Sequence, residues 1–159
     1  MATFNKFNQF VEDLCNAKHD LKTGTAQTFM IMLTNTVPNA LDTVVDTTTG
    51  TCTVKATSNA PEIAAGNGYA KTGLTCGTVT GSQSPAGTFK FILGTDPVWT
   101  AVTGTMGPFQ YAVLYNITAG TTSTRPVIGW WAYASAVTLQ IGETFTVDLD
   151  ASNGVLTVA

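Results

Sequence analysis

The stretch that decides the fold is Phe109-Gln110-Tyr111-Ala112-Val113-Leu114-Tyr115-Asn116-Ile117. Its odd positions are Phe, Tyr, Val, Tyr and Ile; its even positions are Gln, Ala, Leu and Asn. Side chains alternate across a strand with period two, so this is a strand with one strongly apolar face. The same period extends outward. VIGWWAY (127–133) and TFKFIL (88–93) read as strands, and Glu143–Leu149 sets Phe145, Val147 and Leu149 against Thr144, Thr146 and Asp148. TFMIMLT (28–34) is apolar on both faces, as a central strand is. Weaker strands are expected at Thr43–Asp46 and Cys52–Thr57, around Thr47-Thr48-Thr49-Gly50, and at Val98–Val102; Leu74–Thr80 reads as an edge strand. Asn153-Gly154 is the strongest hairpin signal and predicts that Glu143–Leu149 pairs with Val155–Val158. Eight or more short strands with regular turn signals predict a mainly β protein, an antiparallel β-sandwich of jelly-roll-like form.

Residues 3–22 follow another period. Phe4, Phe7, Val11, Leu14 and Leu21 form an apolar stripe, with Lys18 in the missing heptad position and Phe10 and Ala17 widening it. This predicts one amphipathic helix, capped by Thr3 and ended at Gly24. The chain is then a single domain, 1–159, with a helix at 3–22 packed on a sandwich at 26–159.

Thr accounts for 30 of the 159 residues, and only 11% are charged, against roughly 25% in ordinary domains. Thr is β-branched and carries a hydroxyl, so it suits strands whose outer face is neutral yet wettable. Seven basic residues in a chain of net charge −3 make no basic stripe for nucleic acid. Apolar runs of about five residues fall far short of the ~20 that cross a bilayer. The amide- and acid-containing start is not a targeting segment. With 44% hydrophobic residues the chain can bury a core, which excludes disorder. Charge is unevenly placed: between Asp96 and Glu143 the only charged residue is Arg125, yet this stretch holds all three Trp and three of four Tyr.

Chemistry-bearing residues are few. His19 is the sole histidine, and Cys15 lies one helical turn before it, so a Cys/His pair is formally possible. Cys15, Cys52 and Cys76 lack metal or redox spacing; free thiols are the default, although a Cys52–Cys76 bridge is possible. Asp148 and Asp150 share a strand face, which admits a calcium site or a glycosidase carboxylate pair; the simpler reading is two solvated aspartates. Gly66-Asn67-Gly68 and Gly104–Pro108 are turns, with no phosphate-loop context. No catalytic, cofactor or metal residues are assigned. Trp130 and Trp131 must point to opposite faces, so one enters the core and the other points out, either to a partner or beneath a covering helix or loop of the same chain. Trp130, Trp131 and Tyr133 are therefore nominated for self-association, and Phe4, Phe7 and Val11 for docking the helix.

The order LTNTVP (33–38), EIAAGNGY (62–69), GPFQYAVLYN (107–116), IGWW (128–131) and GETFTVDLDASNGVLTVA (142–159) resembles a family of small structural virion proteins of tailed bacteriophages. FNKFNQFVEDLCNAKHDL (4–21) is similar to that family's N-terminal helix. The resemblance implies a non-enzymatic virion component without cofactor: a capsid decoration (cement) protein, homo-oligomeric with a trimer favoured, whose partner is the major capsid protein or a tail protein. The alternative it implies is a tail-tip or fibre module binding the host surface, with exposed Trp and Tyr recognising carbohydrate. A cell-wall or polysaccharide hydrolase acting through Asp148 and Asp150 is the enzymatic alternative.

Overall fold

The computed structural model describes residues 2–48, 50–83 and 85–159. Thr49, in the predicted turn 47–50, lies outside them. Among the described residues thirteen strands and one helix follow in order: β1 Thr3–Lys6, α1 Gln9–Cys15, β2 Phe29–Thr34, β3 Val44–Asp46, β4 Thr53–Lys55, β5 Ala60–Pro61, β6 Leu74–Thr75, β7 Val79–Gln83, β8 Phe89–Leu93, β9 Val98–Thr100, β10 Met106–Asn116, β11 Arg125–Leu139, β12 Thr144–Thr146 and β13 Leu156–Val158. The protein is mainly β with antiparallel sheets. One sheet runs β5-β4-β3-β11-β10-β2-β6, with β1 added against β11. A two-stranded sheet joins β9 to β12, and a three-stranded one runs β13-β8-β7. The strands thus divide among three sheets, where a jelly roll sets eight strands in two.

The centre is the ribbon predicted from Phe109–Ile117. β10 pairs with β11 on one side (Val113 opposite Trp130) and with β2 on the other (Val113 opposite Met32). Alternation then feeds two cores. Ile31, Leu33, Ala112, Leu114 and Ile128 face one cluster, closed by Val79, Phe91, Leu93, Trp99 and Phe145 from the smaller sheets. Met32, Val113, Tyr115 and Trp130 face a second, closed by Phe7, Val45, Cys52 and Val54. Burial on both faces explains why Phe29–Thr34 carries apolar residues at nearly every position.

The N-terminal helix is shorter than expected. It spans Gln9–Cys15, not 3–22, and Thr3 is a strand residue rather than its cap. Phe4 sits opposite Trp131 in the β1–β11 register, with ring centroids 4.9 Å apart. Gly129 leaves room for it: a Cβ there would lie 2.4 Å from Phe4 Cζ and 2.6 Å from the Asn5 carbonyl oxygen. Spacings of three and four in the first residues therefore reflect one Phe on each sheet face, not a continuous helical stripe. The helix ends in a Schellman turn well before Gly24. The Lys18 N–H donates to the Asp13 carbonyl (2.9 Å) and the Ala17 N–H to the Leu14 carbonyl (3.1 Å), with Ala17 at φ 56°.

The Asn153-Gly154 hairpin does not form. β12 pairs with β9 and β13 with β8, in different sheets. Asp150 organises this connection: its carboxylate accepts the Ser152 and Asn153 N–H groups (3.0 and 2.9 Å) and the Asn153 side-chain amide (2.8 Å). The expected edge strand Leu74–Thr80 is also divided, into β6 beside β2 and β7 beside β8.

Candidate functional site

β11 carries Trp131 and Tyr133 two residues apart, hence on one face of the sheet. Each is held from the side. Trp131 rests against Phe4, and Tyr133 meets Phe145 nearly edge-on at 5.1 Å. Both remain half-buried. Facing them is the chain that leaves β12, carrying Thr146, Asp148 and Asp150. The two walls enclose an open groove of about 440 Å³, with Ala2 also lining it.

The polar groups of this groove divide into engaged and unengaged. Asp150 is committed to its own turn, and the hydrogen bonds from Asn153 and Ser152 hold its carboxyl below the usual aspartate value. Asp148 accepts the Asp150 N–H through Oδ1 at 3.1 Å. Its Oδ2, the Trp131 indole N–H, the Tyr133 hydroxyl and the Thr146 hydroxyl have no partner among the described residues. The two aspartates considered from sequence are thus brought to the two aromatics nominated for contacts, through folding of the smaller sheets over β11.

The other nominated residues are placed differently. Trp130 is 7% exposed and packs against Phe7 with the rings tilted and centroids 4.5 Å apart, so the fold covers this residue offered for self-association. Phe7, nominated to dock the helix, lies in the link between β1 and α1 rather than on the helix, and is buried in the second core. Val11 is not buried: it is 47% exposed, because the short helix turns Phe10 and Asp13 inward instead.

Cys15 and His19 form no pair. Cys15 is exposed at the helix end, whereas His19 is 4% exposed and packs against Phe10 at 5.3 Å. Burial pushes the His19 pKa down to about 4, against the opposing pull of Asp13, so the ring is neutral at pH 7. All three cysteines are free. Cys52 and Cys76 belong to different core clusters, which accounts for the absence of a bridge between them. Burial, then Glu62, pushes the Cys52 thiol up to about 12, and burial raises Cys76 as well. Neither is a reactive thiolate. Among the described residues no three His, Cys, Asp or Glu side chains cluster to hold a metal.

Two buried carboxylates carry structure that the sequence did not signal. Asp42 accepts N–H bonds from Asn39 (2.8 Å), Thr57 (2.7 Å) and Ser58 (2.8 Å), besides the Ser58 hydroxyl. Glu62 accepts the Cys52 N–H (2.7 Å), the Tyr69 hydroxyl (3.0 Å) and the Thr72 N–H (2.8 Å). Both tie loops to strands, and neither faces the groove.

A second surface lies at the same end of the molecule. On the outer face of β9–β12, Val98 is 49% exposed, and Val102 just beyond β9 is 57% exposed. Thr100, Thr144 and Thr146 are exposed with them. Ile141 is 66% exposed beside this face, where the Gly142 N–H bonds the Ala101 carbonyl at 2.7 Å.

No protein-family model, curated protein or solved structure matches the chain. Among the described residues no helix is long and apolar enough to cross a membrane.

Proposed function

We propose that the chain is a non-enzymatic structural protein of a tailed-phage virion, a capsid decoration protein that self-associates and binds the shell through neutral β-sheet faces. The observation that carries this reading is the outer face of β9–β12, where Val98, Val102 and Ile141 stand in water among threonines. Interface cores are depleted in Lys, Glu and Asp, and the 46 residues between Asp96 and Glu143 supply one charge. The resemblance of the sequence blocks to small virion proteins supports the same assignment. Covering a few valines and an isoleucine yields modest free energy per copy, but a repeated lattice of sites multiplies weak contacts into firm attachment. The partner is the major capsid protein, and a trimer is the proposed stoichiometry. His19, neutral and buried away from Cys15, and Asp150, bound into its own turn, fit a structural part better than a catalyst.

Electron microscopy of the virion tests the location, and light scattering of the purified chain tests self-association. Hundreds of copies on the head are expected. A chain confined to the tail, or a stable monomer at micromolar concentration, would overturn the decoration reading. The aromatic groove favours the second reading, a tail-tip or fibre module that binds the host surface; a few copies per particle at the tip would support it. Hydrolysis is tested by Asp148→Asn and Asp150→Asn, and host-envelope degradation lost with those changes would overturn the non-enzymatic assignment.

A further inference from the structure

We infer that the groove between β11 and the chain following β12 is a binding site for a neutral sugar ring. The inference deepens the tail-module reading by naming the groove and the ligand class, but its test is separate from that of location. Sugar binding is read on the purified chain and location on the virion, so either can fail alone.

Shape and rigidity come first. At about 440 Å³ the groove falls in the ~300–1,000 Å³ range of small-molecule sites. Its aromatic wall projects from a strand rather than a loop, and Trp131 and Tyr133 are each braced by a Phe, so little order is lost on binding.

The chemistry selects the ligand. An anion is disfavoured, since the lining holds Asp148 and Asp150 and no Lys or Arg. A calcium ion needs six to eight oxygens, and Asp150 already accepts three hydrogen bonds from Ser152 and Asn153. A purely apolar partner would desolvate the Asp148 carboxylate, the Trp131 N–H and the Tyr133 hydroxyl without replacing their water. A sugar satisfies the whole set. The C–H face of a pyranose stacks on an aromatic ring, while its hydroxyls donate to Asp148 Oδ2 and exchange hydrogen bonds with Trp131, Tyr133 and Thr146. Asp150 is then a positioning residue: its N–H fixes Asp148, and its carboxylate fixes the turn that carries both.

The test is saturation-transfer NMR on the intact chain with methyl glucoside, methyl galactoside, N-acetylglucosamine, maltose and cellobiose, followed by titration of the best of them. We expect transfer to ring protons of at least one sugar, with Kd on the order of 1 mM. Asp148→Ala and Tyr133→Phe should each weaken it by roughly 3- to 10-fold, and Trp131→Ala by about 10-fold or more. Trp131→Ala also strips Phe4 of its partner, so the two milder variants decide the outcome, with their folds checked by circular dichroism. Val37→Ser, exposed in the loop after β2 and away from the groove, should bind as the parent does. No transfer from any of these sugars at ~50 mM would overturn the site, as would binding unchanged in both Asp148→Ala and Tyr133→Phe. Saturable calcium-induced shifts at Asp148 and Asp150 without sugar would reassign it to a cation.

Discussion

Residues 39–72 and residues 97–142 stabilise the fold by opposite means. The first region encloses Asp42 and Glu62 as buried carboxylates, each ringed by N–H and O–H donors rather than cations. The second has one charged residue, and holds its place through apolar packing around Trp99, Phe109 and Phe145. A carboxylate that accepts several backbone N–H groups fixes irregular loops as a strand ladder fixes strands, but it tolerates no loss, because every donor is then orphaned. Packed apolar strands leave their outer face free to vary. In a charge-poor chain, then, Asp42 and Glu62 serve the interior of the loop-rich region, and residues 97–142 are left with neutral surface.

The sharpest way to break this contrast is a pair of single substitutions. Asp42→Ala leaves three part-buried N–H groups without their acceptor and should cost about 2–4 kcal/mol, toward the low end of ~1–3 kcal/mol for each group because water reaches them in part. Val102→Ser on the outer face should stay within about 0.5 kcal/mol of the parent. Urea unfolding followed by fluorescence measures both, and similar losses in the two would dissolve the distinction.

Acid separates the buried Asp42 of the first region from the buried His19, which lies outside both regions. His19 has its pKa lowered from 6.5 to about 4, so below pH 6.5 the unfolded chain takes up a proton that the folded chain refuses. Stability should therefore fall as pH drops from about 6.5 to 4, by at most ~3 kcal/mol at 1.36 kcal/mol per pKa unit. Asp13 and the Val127 backbone, which favour the charged ring, and Lys18, which opposes it, set the remainder. Burial pushes the Asp42 carboxyl up, but hydrogen bonds from Ser58, Asn39 and Thr57 outweigh it and leave its pKa below 3.8. Its contribution is thus present above about pH 4 and fades only below that. His19→Gln should flatten the 4–6.5 window and leave the lower one intact. A slope between pH 6.5 and 4 that survived His19→Gln would assign it to another group.

In the neutral half the critical contact is steric. Gly129→Ala would drive a methyl into Phe4 and the Asn5 carbonyl, so β1 should detach from β11. Overpacking of this kind costs about 1–3 kcal/mol. Hydrogen exchange should then speed up selectively at Thr3–Lys6 and across the Trp131 side of β11, while Asp42's loops keep their protection.

That same glycine explains where the sequence stops being legible. The strands around Val113, Trp130 and Phe91 can be read directly because burial on one or both faces stamps a period of two on the residues themselves. The opposed faces of Trp130 and Trp131 follow from the same rule. Phe4 and Phe7 mislead because spacings of three and four suit a helix, and only Gly129, far along the chain, makes room for a strand there. Asn153-Gly154 loses its hairpin because Phe89–Phe91 and Val98–Thr100 are better partners for the two flanking strands than either is for the other. The groove is legible only in pieces. Trp131, Tyr133, Asp148 and Asp150 each stand out in the sequence, but their meeting depends on how the smaller sheets fold over β11. Asp42 and Glu62 leave no signal, because their partners are mainly backbone N–H groups that every residue type except proline supplies.

The smallest effect lies at the end of α1 and has the opposite sign. Ala17 occupies the left-handed position of the Schellman turn at φ 56°, where its Cβ crowds the backbone. Glycine is the residue this position favours. Ala17→Gly should therefore stabilise the protein by about 0.5–1 kcal/mol, the relieved strain being partly offset by the greater freedom of glycine in the unfolded chain. Thermal unfolding would show a slightly higher midpoint, roughly 1–4 °C for a chain of this size. The Lys18 ammonium should keep its 2.7 Å contact with Asp13, since the turn geometry is unchanged. A lower midpoint would mean that the Ala17 methyl makes packing contacts worth more than the strain it causes, so that the helix end, which belongs to neither region, is held by apolar contact as residues 97–142 are.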